Sequence, residues 1–242
     1  MTRNRFAVAC STLTLVVVLW APLRVLGADS KSSYAKMAPL EQYLMERTAE
    51  IALARSAAPD SISANAGVVV LGRDGYETAS EGKNGFVCLV ERGWMGPFDD
   101  KDFWNPKTRG PICYNPEGVH SILPITYMRT KLILAGLSKQ EIYDRVKQAY
   151  VNKELPALEP GAMCFMMAKQ GYLTDQGLTA DGAHNMAHLM FYTPARKIED
   201  WGANFTNSPV YLNPQFNGKP EPIEVYMVLT GTWSDGSPAP VQ

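Results

Sequence analysis

The sequence lacks a basic block and carries almost no excess charge of either sign. Its 23 Lys and Arg residues nearly balance 24 Asp and Glu residues, which gives a formal net charge of −1. Proteins that bind nucleic acid or anionic lipid usually present a positive surface. We therefore expect no nucleic-acid partner for this chain.

The sequence also lacks several common signatures of chemistry. It contains no P-loop, no dinucleotide-binding fingerprint and no GxSxG, HExxH or CxxC motif. Beyond the N-terminal segment it has no apolar run near the roughly 18 residues that a membrane-spanning helix needs. Clusters of residues, rather than a known motif, therefore indicate the candidate sites. No membrane association is expected once the N-terminal segment is removed.

The N-terminal segment has the order of features found in a secretory signal peptide. Arg3 and Arg5 precede an apolar stretch at residues 6–23, and small or apolar residues follow. This pattern predicts a signal peptide over residues 1–27 and places the protein in the periplasm or outside the cell.

The remaining residues, 28–242, are predicted to form one domain with a loose C-terminal tail. The alternative to cleavage is an uncleaved membrane anchor. Pro22 and Arg24 interrupt the apolar run early for a spanning helix, which favours the signal peptide.

Cysteine is scarce, and three cysteines follow the predicted cleavage site: Cys88, Cys113 and Cys164. An oxidising compartment favours one disulfide and one free thiol. We predict the pair Cys88–Cys113, although the sequence leaves the other two pairings open. Cys164 would then be a buried, inert thiol, with a catalytic cysteine as the alternative.

The stretch from 160 to 193 concentrates the residues that could carry chemistry. It holds two of the three histidines and five of the 11 methionines. Its two apolar runs, 162–168 and 187–193, have the length and composition of strands. We predict a hairpin with a long connecting loop.

The side chains of this hairpin suggest a metal site. The candidate ligands are His184, His188, Met190, Met166 and Cys164, and soft sulfur ligands of this kind select Cu(I). The two histidines can share an ion only if residues 184–188 are helical, because on a strand they lie about 13 Å apart. The alternative is that the methionines fill an irregular core.

The other periodic segments complete an α+β prediction. Helices are expected at 39–56, 123–135 and from 139 to about 155, and a three-stranded antiparallel meander at 67–72, 76–80 and 86–92. A last strand is expected at 223–232. The predicted fold is an antiparallel sheet of five to six strands packed by about three helices.

The segment at 93–116 is predicted to be irregular, since it is rich in proline, aromatic and charged residues. Trp94, Phe98 and Trp104 are candidates for the wall of a pocket. Glu91 joins them because it aligns with an apolar face at the end of its strand. The alternative is that the aromatic residues pin this segment to the core.

Three blocks of the sequence carry a resemblance: GKNGFVCLVERGW, GVHSILPITYMRTKLILAGLSKQEI and HNMAHLMFYTP. Together they resemble a family of exported bacterial proteins of uncharacterised function, over most of the chain after the signal peptide. The resemblance implies an exported location and one continuous domain. It implies no activity, cofactor or catalytic residue.

Three functions are consistent with these observations. The first is an exported protein that binds a small ligand or a metal, with copper the metal considered. The second is a hydrolase in which His188 is the general base, oriented by His184, Glu91 or Asp181. The third is an envelope module that binds a protein partner through the segment at 93–116.

Overall fold

The computed structural model describes Met1 and residues 34–178, 182–194, 196–217 and 219–240, with only the backbone described at 213–217. The predicted signal peptide therefore lies outside the described residues apart from Met1, and Asp181 lies outside them too. All the elements below belong to one unit that spans Ser32–Gln242. Within the described ranges, no helix is both long enough and apolar enough to cross a membrane.

The α+β class is confirmed, with five α-helices and eight strands in the described part of the chain. The helices are α1 (Arg47–Arg55), α2 (Asp60–Ser63), α3 (Pro116–Ser121), α4 (Leu123–Leu134) and α5 (Lys139–Val151). The strands are β1 (Gly67–Gly72), β2 (Gly75–Ser80), β3 (Val87–Glu91), β4 (Gly110–Tyr114), β5 (Met163–Met166), β6 (His188–Thr193), β7 (Val210–Asn217) and β8 (Glu224–Leu229).

The eight strands form one mixed sheet in the order β2-β1-β3-β4-β5-β6-β8-β7. The predicted antiparallel sheet of five to six strands is wrong in number and in direction. Strands β1 and β2 do form an antiparallel hairpin, but β3 pairs with β1 in parallel. The predicted meander fails because turn residues specify a change of direction without specifying which side of β1 the chain returns to.

Gly82 allows the chain to pass from β2 back to the other side of β1, where β3 pairs with it. The chain crosses the start of β1 here, where Gly67 N donates to Phe86 O at 2.8 Å and Lys83 N to Asn65 O at 2.7 Å. A Cβ at position 82 would lie 2.2 Å from Gly67 N. Only glycine fits such a close approach of two backbones.

Two strands were not predicted. Strand β4 lies within the segment expected to be irregular, and all five of its residues are buried between β3 and β5. Strand β7 lies in a predicted loop and pairs with β8 at the edge of the sheet. Each contains a proline, Pro111 or Pro214, which hides the strand pattern in the sequence.

The predicted N-terminal helix is shorter than expected. A 3-10 turn occupies Leu40–Gln42, and α1 begins only at Arg47, where the Glu46 carboxylate accepts hydrogen bonds from Thr48 N and Ala49 N. Helices α4 and α5 begin at the predicted residues. Ser138 and Glu141 form a capping box at the start of α5.

The two faces of the sheet pack against different elements. On one face α1 contacts β1, β3 and β4. This face buries the disulfide Cys88–Cys113, which joins directly opposite residues of β3 and β4 and confirms the predicted pairing. Helices α4 and α5 and the segment at 92–108 share the core of the other face.

The C-terminal residues, predicted to be loose, are hydrogen-bonded over their described part. Ser234 N donates to Met167 O at 2.9 Å, and Ala239 N donates to Gly231 O at 3.0 Å. Trp233 is buried. These contacts hold residues 231–240 against the end of β5.

Candidate functional site

The face of the sheet opposite α1 contains a cavity of about 250 Å³, here called the sheet-face cavity. Alternation along the strands places its floor residues on one face. Met166 of β5 lies directly opposite His188 of β6, and Cys164 lies opposite Met190. The segment at 92–102 and residues 173–178 form its other walls. Its lining includes five methionines: Met95, Met166, Met186, Met190 and Met227.

A smaller cavity of about 90 Å³ adjoins the first. The two cavities share Glu91, Met95, Pro97 and Met190 in their linings. Glu91, predicted from the sequence as a candidate for a pocket wall, lines both cavities.

Glu91 is the ionisable group of this region whose pKa is most clearly adjusted for chemistry near neutral pH. Burial raises the pKa of its carboxyl to about 6, although hydrogen bonding from Tyr114 and the charge of Arg129 oppose the rise. Oε1 accepts hydrogen bonds from Tyr114 OH at 2.7 Å and Thr126 Oγ1 at 3.4 Å. Among the described residues, none donates to Oε2.

Thr108 brings an unpaired hydroxyl to the sheet-face cavity. Its side chain lines the cavity, the residue is 5 % exposed, and Oγ1 makes no hydrogen bond to any described residue. A buried hydroxyl without a partner costs about 1–3 kcal/mol. Such an atom in a cavity wall is a position where a bound molecule could supply the missing hydrogen bond.

His188 is held in one orientation by the backbone. Nδ1 lies 2.7 Å from Met186 O, so Nδ1 carries the proton and donates it to this carbonyl. Burial lowers the pKa of the imidazole, which keeps it neutral. Nε2 then has a free lone pair, and no hydrogen bond reaches it from the described part of the chain.

Cys164 is not part of the lining of either cavity. The thiol is buried, and its Sγ is 3.4 Å from Tyr192 OH. Burial raises the pKa of this thiol. The setting is that of an inert thiol rather than of a nucleophile.

His184 does not join the other candidates of the hairpin. Its ring contacts Tyr172 with 4.5 Å between centroids, and Nδ1 lies 2.9 Å from Thr174 O. It is not part of the sheet-face cavity lining. Residues 184–187 are not helical, so the i, i+4 arrangement of His184 and His188 that a shared ion requires is missing.

The three aromatic candidates for the pocket wall line neither cavity. Trp94 is fully buried and donates Nε1 to Thr130 Oγ1 at 3.1 Å. Phe98 packs against Phe103, and the guanidinium of Arg129 lies 4.3 Å from the Phe98 centroid. Trp104 is buried beside Phe103. These side chains pin the segment to the core, as the alternative interpretation held.

Arg129 holds several wall segments of the smaller cavity in place. From α4 it donates NH1 to the carbonyls of Trp94, Met95 and Gly96, and it forms an ion pair with Glu221 at 2.7 Å. Its side chain is 5 % exposed. All these partners occupy the guanidinium, so Arg129 positions the walls and is not available to a ligand.

Sequence reasoning missed Thr108, Met95 and Met227 as lining residues. The alternation of β8 places Met227 opposite Met190, and this signal was present in the sequence. Nothing local marks Thr108 or Met95, because each reaches the cavity from an irregular segment whose path depends on distant contacts.

The chemistry of this site rests on thioethers, one imidazole, one carboxyl and one hydroxyl. Within the described ranges, no three His, Cys, Asp or Glu side chains lie close enough together to hold a metal ion. No protein-family model matches the chain, and comparisons with curated proteins and with solved structures found no match either.

Proposed function

We propose that the protein binds a small, largely apolar ligand in the sheet-face cavity. The observation that carries this proposal is the unpaired Thr108 hydroxyl in the wall of a methionine-lined space. The cavity, about 250 Å³, is smaller than the roughly 300–1,000 Å³ typical of pockets for drug-sized ligands. The ligand is therefore small.

The lining also defines the chemistry of the ligand. Thioethers pack favourably against aromatic rings, so a single ring suits the methionine surface. Thr108 and the free oxygen of Glu91 each take a hydrogen bond, so the ring should carry a hydroxyl or amino group. The class we propose is a phenol or an aromatic amine.

A thermal-shift screen of the purified protein with phenols, aromatic amines and their unsubstituted rings tests this proposal. Binding to the native state raises the melting temperature by mass action. We expect the substituted rings to raise it more than the unsubstituted ones. No shift with any member of the panel would overturn the proposal.

Thr108→Val is the matched variant, since it keeps the shape and removes the hydroxyl. We expect the free variant to be at least as stable as the wild type, because no hydrogen bond is lost. The shift with phenols should fall, while Thr78→Val on the exposed strand β2 should leave it unchanged. An equal shift in the Thr108 variant would remove this residue from the site.

Export is part of the proposed function. The signal-like N-terminal segment and a buried disulfide both support a periplasmic or secreted location. Mass measurement of the protein recovered from the periplasm would test it directly. A chain retained in the cytoplasm with residues 1–27 intact would contradict it.

Acid–base catalysis is the second candidate, and Glu91 favours it. A carboxyl with a pKa of about 6 is suited to proton transfer near neutral pH. The hydrolase hypothesis gave this role to His188, but the orienting partner of His188 is Met186 O rather than His184 or Glu91. Loss of any detected activity in Glu91→Gln, with folding intact, would support Glu91 in that role.

The envelope-module hypothesis stays a prediction. Trp94 and Trp104 are buried, so a partner surface on the segment at 93–116 would have to use its other residues. A pull-down with the exposed Asp99 and Lys101 replaced by alanine is the appropriate test.

A further inference from the structure

Three residues with donor atoms that can bind a soft metal are neighbours on the floor of the sheet-face cavity. Met166 and His188 lie directly opposite each other on β5 and β6, and Met190 is two residues further along the same face. Side chains directly opposite on antiparallel strands have Cβ atoms about 4.5–5.5 Å apart. All three residues line the same cavity.

The imidazole is oriented as a ligand. Nδ1 of His188 donates to Met186 O at 2.7 Å, which fixes the ring and leaves the lone pair of Nε2 free. Metal-ligating histidines typically show this arrangement, in which a backbone carbonyl accepts the other ring proton. The residue is 3 % exposed and lines the sheet-face cavity.

The methionines are not explained by filling a core alone. A side chain that only fills space leaves little room beside it, because protein interiors are close-packed. Here about 250 Å³ of space lies against Met166, Met190 and His188. These residues border a cavity rather than closing it.

The donor set selects the metal. Thioethers are neutral, soft ligands that favour Cu(I), and imidazole also binds copper. The described residues provide no cluster of carboxylates, thiols and histidines of the kind that holds Zn(II) or Ca(II).

We propose that Met166, Met190 and His188 form a Cu(I)-binding site in the sheet-face cavity. This goes beyond the proposed function, because metal coordination by these three side chains requires neither the Thr108 hydroxyl nor the Glu91 carboxyl. Met95, Met186 and Met227 surround the site with further thioethers.

The test is an anaerobic titration of the purified protein with Cu(I) against a competing chromogenic chelator. We expect one Cu(I) per chain. In the double variant Met166→Leu with Met190→Leu, which conserves side-chain volume, two ligands are lost. Losing a single outer partner of a ligand already costs about 10- to 100-fold in metal affinity, so the double variant should lose at least about 100-fold.

Met163→Leu is the control, because Met163 lies on the same strand but points to the other face of the sheet. It should leave the Cu(I) affinity unchanged. Equal Cu(I) affinity in the wild type and the double variant would overturn the proposal. So would binding of Zn(II) to the wild type with equal or higher affinity.

A measurement on the wild-type protein covers the case in which the double variant does not fold. NMR of ¹³C-methyl methionine during titration with Ag(I), a redox-inert analogue of Cu(I), should shift the signals of Met166 and Met190 and leave that of Met163 in place. Shifts at Met163 alone would contradict the site.

The failures of the two proposals are distinguishable. Thr108→Val should keep Cu(I) binding while its phenol shift falls, because its hydroxyl is not one of the three proposed Cu(I) ligands. Ligand binding without Cu(I) binding would overturn only the metal site. Cu(I) binding without any ligand shift would overturn only the proposed function.

Discussion

Glu91 ends β3 with its carboxyl on the apolar side of the sheet, where burial works against ionisation. Its pKa is raised to about 6, above the value of about 4.3 for an exposed glutamate. The folded protein therefore binds this proton more tightly than the unfolded chain does. Stability falls as the pH rises through the interval between the two pKa values and is constant above it.

Replacing Glu91 by Gln should remove this pH dependence. At pH 7.5 the variant should be more stable than the wild type by on the order of 1–2 kcal/mol, because no buried charge has to form. At pH 4 the two should be equal. Urea denaturation at both pH values measures the difference, and Glu81→Gln at an exposed position serves as the control. A variant that is less stable at pH 7.5 would contradict the prediction.

A buried ion pair ties α1 to the end of β3. Arg92 donates NH2 to Glu50 Oε1 at 2.9 Å and Nε to Tyr43 O at 2.8 Å, and neither charged side chain is more than 1 % exposed. Leu71 N also donates to Glu50 Oε1. Each of these two buried charges is neutralised by the other.

Removing one partner should cost far more than removing both. Glu50→Leu leaves the Arg92 charge buried and unpaired, so we expect a loss of about 3–5 kcal/mol in the free energy of unfolding. The double variant Glu50→Leu with Arg92→Met should recover a large part of that loss. Denaturant midpoints of the two variants test this, and a double variant that is no more stable than Glu50→Leu would contradict the coupling.

At the scale of elements, the disulfide joins β3 and β4 behind the cavity floor. Cys88 and Cys113 are 25 residues apart in sequence and directly opposite in register. Cross-linking them reduces the number of conformations accessible to the unfolded chain. It also holds β4, whose Pro and Gly residues give it little strand propensity of its own.

Loss of this crosslink should destabilise the whole sheet. The double variant Cys88→Ala with Cys113→Ala should lose about 3–4 kcal/mol on the loop-entropy account. A reductant should lower the melting temperature of the wild type but not of the variant. The reductant should still lower it in Cys164→Ala, because that thiol is unpaired.

At the scale of the molecule, Asp175 links segments that are far apart in sequence. Its carboxylate accepts hydrogen bonds from Tyr34 OH and Tyr172 OH at 2.6 Å, from Asn105 Nδ2 at 3.2 Å and from Lys107 Nζ at 3.2 Å. Hydrogen bonding, first from Tyr172, lowers the pKa of this carboxyl. The lowered pKa means that the charged form is the one that stabilises the fold.

The contribution of Asp175 should therefore be lost at low pH. Asp175→Asn should lower the melting temperature at pH 7, and the difference from the wild type should shrink as the pH falls below about 4, the pKa of an exposed aspartate. Asp99→Asn at an exposed position should show no such pattern. A difference that is constant from pH 7 to pH 3 would exclude the charge of Asp175 as the cause.

Local chemistry determined several features from the sequence alone. The tight connection between β1 and β2, the Ser138–Glu141 capping box and the strand pair at 163–166 and 188–193 depend on residues close together in the chain. The positions of the methionines and of His188 on one face follow from the alternation of strands. These features could be predicted because each is decided within one or two elements.

The tertiary structure alone decided which of these residues meet. Whether β3 returns on one side of β1 or the other, and whether 110–114 becomes a central strand, depends on burial between distant segments. The same contacts turn Trp94 into a core residue, separate His184 from His188 and bring Thr108 to the cavity wall. Such contacts depend on how the whole chain closes around its core, which no local pattern encodes.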